Sequence, residues 1–171
     1  ERVEAVAADR WTAPSPCEGW TAADVVRHVV ESSTRVLEQA GEPIADLPDV
    51  GEDPVAAWAT ARDAMVAAIS DPEIAARSYT GMFGPSVFSD TVDRFMSTDL
   101  TIHTWDLARA VGGDERLDDD EVAGATARVR AIEAAIGEGM RSPGAFGPAI
   151  DIGPDASPQD QLLAFVGRDP R

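Results

Sequence analysis

SVFSDTVDRFMSTDLTIHTWDLARAVGG, residues 86–113, is the stretch whose reading decides the fold. It predicts one long helix from about Ser86 to Val111, stopped by Gly112-Gly113, because glycine readily takes the left-handed turn that ends a helix. Asp99 and His103 lie four residues apart in it, so their side chains project from one helix face, about 5–6 Å apart at Cβ. Elsewhere in the chain helical periodicity is frequent and strict alternation is nearly absent, which makes the chain mostly α-helical.

Working outward from that helix, residues up to about Asp9 read as the tail of a helix whose start can lie upstream, since the sequence opens on Glu1 rather than Met. Trp11 to Trp20, with Pro14, Pro16 and Gly19, reads as a loop. Thr21 and Asp24 form a capping pair for a helix running to Ala40, with Gly41 as its stop and Val25, Val29, Ser32 and Val36 inward; His28 sits on the edge of that stripe. Gly41 to Glu52 is an acidic loop. Asp53-Pro54 opens a second helix bearing Val55, Trp58, Ala61, Met65 and Ala68. After Asp71-Pro72 the pattern weakens: Ala75 to Thr80 reads as a short extended piece, and Gly81 to Pro85 as a turn. Downstream of the long helix, Asp118 to Asp120 opens another, with a seam of Val122, Ala125, Val129, Ile132 and Ile136 suited to a bundle. Met140 to Ala156 is a Gly/Pro-rich linker. Ser157-Pro158 then caps a short helix carrying Leu162, Leu163, Phe165 and Val166, ended by Gly167. Four substantial helices plus short flanking ones make a helical bundle the natural architecture.

Bulk composition narrows the function. The chain has 171 residues, which suits one domain, 1–171, with a real core. Thirty-one acidic residues against 14 basic ones give a formal net charge of −17. Every basic residue is an arginine, and none cluster. A surface of that sign disfavours nucleic acid and anionic membranes as partners. The single cysteine, Cys17, excludes an internal disulfide and a multi-cysteine zinc cluster. No apolar run approaches the roughly 20 residues that span a bilayer. A cytoplasmic location is the simplest expectation. Oligomeric state is open: apolar residues around Phe83 and Phe88 fit either a core or a homodimer surface.

The chain has two histidines, His28 and His103, each inside a predicted helix. A carboxylate and an imidazole one turn apart, joined by a third donor from a neighbouring helix, is a recurring way to hold a divalent ion. Three such donors suit zinc with a fourth position left for water or substrate; iron and nickel also tolerate the set. Spacing alone leaves the bland alternative open, because an Asp-x-x-x-His pair is common and a helical histidine is usually a hydrogen-bonded, half-buried residue. Asp106, three residues past His103, can either hydrogen-bond the imidazole from behind or pair with Arg109. Trp105 reads as packing bulk. Cys17, in Pro-Ser-Pro-Cys-Glu-Gly-Trp, reads as a small buried apolar residue in a tight loop. Arg94, Arg109, Arg128 and Arg130 could each meet an anionic substrate, and nothing ranks them.

Three ordered segments carry a resemblance. Trp11-Thr-Ala-Pro-Ser-Pro-Cys17-Glu-Gly-Trp20-Thr21, followed by Asp24-Val-Val-Arg-His28, resembles the N-terminal signature of actinobacterial DinB-like proteins related to mycothiol-dependent maleylpyruvate isomerase. Asp99-Leu-Thr-Ile-His103-Thr-Trp-Asp106-Leu-Ala-Arg-Ala-Val-Gly112 resembles the second signature, and Ser157 to Pro170 is similar to the C-terminal motif of one branch of that group. The resemblance implies an all-α, DinB-like four-helix bundle with short flanking helices and a metal between helices. The family's ligands, one histidine and a later acidic-x-x-x-His pair, map onto His28, Asp99 and His103.

It further implies a divalent metal, zinc first and nickel or iron as alternatives, and mycothiol as cosubstrate. The resulting expectation is a metal-dependent enzyme that binds a small-molecule thiol and presents it to an electrophilic substrate, as a thiol S-transferase does. Two departures point away from maleylpyruvate isomerisation itself. The family's isomerases carry Glu where this chain has Asp99, and they have a further C-terminal domain where this chain stops at Arg171. A metal-dependent hydrolase, and a non-catalytic metal-binding or stress-related module, are the alternatives.

Overall fold

The computed structural model of the chain describes residues 2–81, 84–141 and 146–171. It is mostly helical, with one two-stranded hairpin, and divides into two compact units, Glu1–Gly113 and Asp114–Arg171.

In the first unit, residues 2–10 form a turn and a single 3-10 turn, Ala8–Arg10, rather than the tail of an α-helix. The extended backbone of Ala7 (φ −66°, ψ 143°) breaks any helical run there. Helix α1, Ala22–Gln39, starts as its sequence dictates: Thr21 Oγ1 accepts from the Asp24 N–H, and the Asp24 carboxylate accepts from the Thr21 N–H. That reciprocal pair satisfies two donors which the helix cannot serve itself. The buried face of α1 is wider than expected and turned by one position. Val26, Val30, Ser33 and Leu37 are buried beside Val25 and Val29, whereas Ser32 and Val36 are only half-buried. The reason is that α1 packs on two partners at once, α2 and α5, so one narrow stripe is not enough.

Helix α2, Pro54–Ser70, opens with the Asp53 carboxylate accepting from the Ala56 N–H and with proline at its first position. A short helix α3, Pro72–Ala75, leads into strand β1, Ser78–Gly81, which pairs antiparallel with β2, Gly84–Val87. Part of the stretch read as a turn, including Pro85 opposite Thr80, is therefore strand. Gly and Pro give β2 no strand signal of its own, so it exists by pairing. Phe83 lies outside the described residues; Phe88 is fully buried, in a cluster with Leu37, Ala40 and Ala68.

The long helix begins at Phe88 and runs unbroken as α4 (Phe88–Thr91), a π-helical turn (Val92–Met96) and α5 (Ser97–Val111). Gly112, with φ +73°, ends it as read from the sequence. The π turn is closed by the Ser97 N–H bonding the Val92 carbonyl; it inserts an extra residue shortly before Asp99 and so resets which face α5 presents. Helix α5 is buried almost all round, including Ile102, Trp105, Leu107 and Ala110. Val25, Val26 and Val30 of α1, Ala57 and Ala61 of α2, and Leu107 and Ala110 of α5 share one core.

The second unit holds α6, Asp119–Ile136, capped by Asp118; a 3-10 turn, Gly137–Arg141; and α7, Pro158–Phe165, capped by Ser157. The α6 seam is buried at Val122, Ala125 and Val129 but not at its end, where Ile136 is exposed. The Arg130 and Arg141 guanidiniums lie 3.9 and 5.2 Å from the Phe165 ring centroid. Gly167 (φ +86°) has no room for a side chain: a Cβ there would stand 2.7 Å from the Gly147 Cα.

Candidate metal centre

Helix α1 contributes His28, and α5 contributes Asp99 with His103 one turn later. Their packing brings the three together. His28 Nε2 lies 3.4 Å from Asp99 Oδ1 and 3.2 Å from Oδ2, and His103 Nε2 lies 3.3 Å from Oδ1. The two imidazoles meet edge to face at 4.7 Å between centroids. One donor atom from each residue falls within 4.8 Å of the others. The side chains of His28 and Asp99 are 34% and 30% exposed and that of His103 is 8% exposed, so the group sits at the mouth of the helix interface.

Two observations test whether a cation fits. Donors bound tetrahedrally at about 2.0–2.2 Å from zinc stand roughly 3.3 Å apart; Asp99 Oδ1 lies 3.4 Å from His28 Nε2 and 3.3 Å from His103 Nε2, and one donor atom of each residue lies within 4.8 Å of the others. In addition, Asp99 Oδ2 is shut from solvent yet accepts no hydrogen bond among the described residues, His28 Nε2 being close but misaligned for one. An oxygen buried in that way is costly unless something else satisfies it. Burial alone would raise the Asp99 carboxyl, but hydrogen bonds from His103 and His28 overcome it and hold the group well below the usual carboxylate range. Burial likewise opposes the charge on His103; its hydrogen bonds to Asp106, Asp99 and Cys17 prevail and raise it well above the ordinary imidazole value.

Behind His103 stands Asp106, wholly buried, with Oδ2 2.8 Å from His103 Nδ1. An ionised carboxylate only accepts, so Nδ1 carries the hydrogen and donates, and Nε2 is left facing Asp99 and His28. That is the carboxylate–imidazole arrangement which orients metal-binding histidines. Of the two readings open for Asp106, the contact with the imidazole is realised; the Arg109 guanidinium lies 5.2 Å from the Trp105 ring centroid, which does not decide the other. Trp105 is buried as packing bulk.

Sequence reasoning missed two neighbours. The loop before α1 is tied by Ser15 N–H to the Trp20 carbonyl (2.9 Å) and Trp20 N–H to the Cys17 carbonyl (3.0 Å), with Gly19 at φ +78°. This tight turn places the Cys17 thiol 3.3 Å from Asp106 Oδ2 and the Trp20 ring against both histidines, at 5.1 and 6.0 Å between centroids. The only available signal was position, immediately upstream of the helix carrying His28. Of the scattered arginines, Arg128 and Arg130 belong to the second unit, where Arg130 pairs with Glu133 at 3.0 Å. His103 also forms part of the wall of a cavity of about 260 Å³ lined chiefly by Val25, Val26, Val29, Trp58, Leu100 and Leu107.

Comparison with known proteins agrees with the segments that carry the site. Two uncharacterized proteins from two strains of Mycobacterium tuberculosis are each 32% identical to the chain over 166 residues, covering 95% of it and 87% of the relative. No solved structure gives a significant match. Residues 1–108, which include His28, Asp99, His103, Asp106 and Cys17, match the model of the mycothiol maleylpyruvate isomerase N-terminal domain. The chain belongs to that family.

Proposed function

We propose that the protein is a divalent-metal-dependent enzyme acting with a low-molecular-weight thiol of the mycothiol type, as a thiol S-transferase. The observation that carries this reading is that His28 Nε2 and His103 Nε2 each lie 3.2–3.4 Å from the Asp99 carboxylate, with one donor atom of each residue within 4.8 Å of the others and Asp99 Oδ2 lacking a hydrogen-bond donor among the described residues. His28, Asp99 and His103 would hold the ion, zinc first, with nickel or iron as alternatives for the same donors. A dication held there would supply Lewis acidity of the kind that lowers the pKa of a thiol and favours its nucleophilic form.

The chain's own residues do the rest. Asp106 accepts from His103 Nδ1 and so orients the ring, and the Trp20 ring lies tilted beside His28 and roughly parallel to His103, at 5.1 and 6.0 Å between centroids. The apolar cavity beside His103 offers room for the body of an electrophilic substrate. The partners in this reading are a small-molecule thiol and an electrophile, not nucleic acid or membrane, and the protein works in the cytoplasm; a homodimer is compatible with it. Among the described residues no helix is long and apolar enough to cross a membrane. The family resemblance also supports a DinB-like bundle, of which α1, α2 and α5 would supply three helices.

The test is calorimetric titration of metal-depleted protein with Zn²⁺, in buffers of different ionisation enthalpy, with and without thiol. Binding with proton release that increases when thiol is present is expected. Absence of both proton release and thiol binding overturns the reading, and ester or amide hydrolysis without any thiol replaces it with a hydrolase.

A further inference from the structure

Cys17 and Asp106 are 89 residues apart in sequence and meet at one oxygen. Asp106 Oδ2 accepts the His103 Nδ1–H at 2.8 Å and the Cys17 S–H at 3.3 Å. The carboxylate is wholly buried, so donors from the protein set its orientation. Cys17 comes from a turn whose backbone is pinned by its own hydrogen bonds, including Cys17 N–H to Ser15 Oγ at 3.2 Å. The backbone that carries the thiol is thus held in place by the turn.

Two other roles for the thiol fit less well. It lies on the Nδ1 side of the His103 ring, whereas Asp99 approaches Nε2, so it does not share an ion with Asp99 and His28. Cys17, His103 Nδ1 and Asp106 also converge within 4.8 Å as a separate set of donors. The 2.8 Å between Nδ1 and Oδ2, however, is the length of a charge-assisted hydrogen bond and is too short for two donors held about 3.3 Å apart by one ion.

We propose that Cys17 is a positioning residue: its S–H locks Asp106 in the orientation that holds His103, so that the loop preceding α1 sets how firmly Nε2 is presented to the ion. The inference rests on the metal-binding reading above for its consequence, but the thiol–carboxylate–imidazole chain itself exists without any metal. Serine in place of Cys17 keeps a donor; alanine removes it.

Two measurements test it. In metal-free protein, ¹⁵N NMR of the His103 ring should show the Nδ1–H resonance displaced in Cys17→Ala and returned toward its original position in Cys17→Ser. In metal-loaded protein, Cys17→Ala should weaken Co²⁺ affinity by about threefold to tenfold, less than the loss typical of a carboxylate in direct contact with a ligand histidine, and shift the visible bands. Cys17→Ser should restore both, with unfolding midpoints checking that each variant is folded. The wild type should show no sulfur-to-cobalt charge-transfer band. An unmoved His103 resonance in Cys17→Ala overturns the proposal. So do a Co²⁺ affinity and spectrum that Cys17→Ala leaves unchanged when the wild type binds the ion, or a wild-type charge-transfer band that vanishes in Cys17→Ser. A wild type that binds no metal while its His103 resonance still follows residue 17 refutes the metal reading instead and leaves the positioning role standing.

Discussion

Replacing Asp106 tests the site where burial makes the arithmetic clearest. The residue has no solvent exposure, and its Oδ2 takes a charge-assisted hydrogen bond from His103 at 2.8 Å. Asp106→Asn keeps the shape and an acceptor oxygen but removes the charge. Asp106→Ala removes the acceptor altogether and leaves the buried Nδ1–H without its partner, a cost of about 1–3 kcal/mol. Carboxylates behind metal-binding histidines contribute roughly 10–100-fold in affinity, or about 1.4–2.7 kcal/mol. The amide variant should fall near the lower bound and the alanine variant near the upper. The alanine variant should also unfold several degrees lower without metal, at about 2–4 °C per kcal/mol for a chain of this size. Competition titration against a chromophoric chelator, paired with thermal unfolding of the metal-free proteins, measures both quantities. Folded variants that bind Zn²⁺ as tightly as the wild type would refute the claim that Asp106 orients a ligand.

Other perturbations separate ligand, proton and scaffold effects. His28→Ala should leave the metal-free unfolding midpoint nearly unchanged, because that side chain is a third exposed, yet abolish the rise in midpoint that Zn²⁺ confers; a persisting rise would remove His28 from the site. Metal affinity should increase about tenfold per pH unit from weakly acid pH upward, until the proton on His103 is gone, and equilibrium titration across that range would expose a flat, contradictory profile. In metal-free protein the sign is opposite for the same residue. Because its folded value is raised, the stability it contributes is full below the ordinary imidazole value of about 6.5 and fades as pH climbs through the folded one, which urea unfolding at successive pH values would detect. Gly167→Ala should destabilise the second unit by about 1–3 kcal/mol through a left-handed backbone and a 2.7 Å clash with Gly147, read as faster hydrogen exchange in α7.

How much of this was legible in the sequence depends on the range of the physics. Helix starts at Thr21, Asp53, Asp118 and Ser157, and the stop at Gly112, were readable because a cap is a bargain struck within three or four residues. Asp99 and His103 were readable as a pair for the same reason. His28 joined them only through scarcity of histidine and the family resemblance, since nothing local says that α1 packs on α5 at that height. Strand β2 was missed because Gly84 and Pro85 have poor intrinsic strand tendency and are held by β1. The face of α1 was misjudged by one position because a helix with two partners buries more than one stripe. Cys17 was read as packing material because the path of a loop leaves no periodic trace in sequence. Its contact with Asp106 is purely tertiary.

In the proposed metal reading, the charges around His103 favour a dication over a proton. Without metal, the imidazole lies between two carboxylates, Asp106 at Nδ1 and Asp99 at Nε2, and their hydrogen bonds keep it protonated against the cost of burial. One positive charge then faces two negative ones in a largely dry place, an imbalance that low-dielectric surroundings make expensive. A dication held by His28, Asp99 and His103 would displace the Nε2 proton, leave His103 neutral, and set two positive charges against the same two carboxylates. The proton that must leave is the one on the Asp99 side; the one on Nδ1 stays, because Asp106 holds it. Balance therefore requires both carboxylates, which is why loss of Asp106, several ångströms from where the ion would sit, is expected to be felt there.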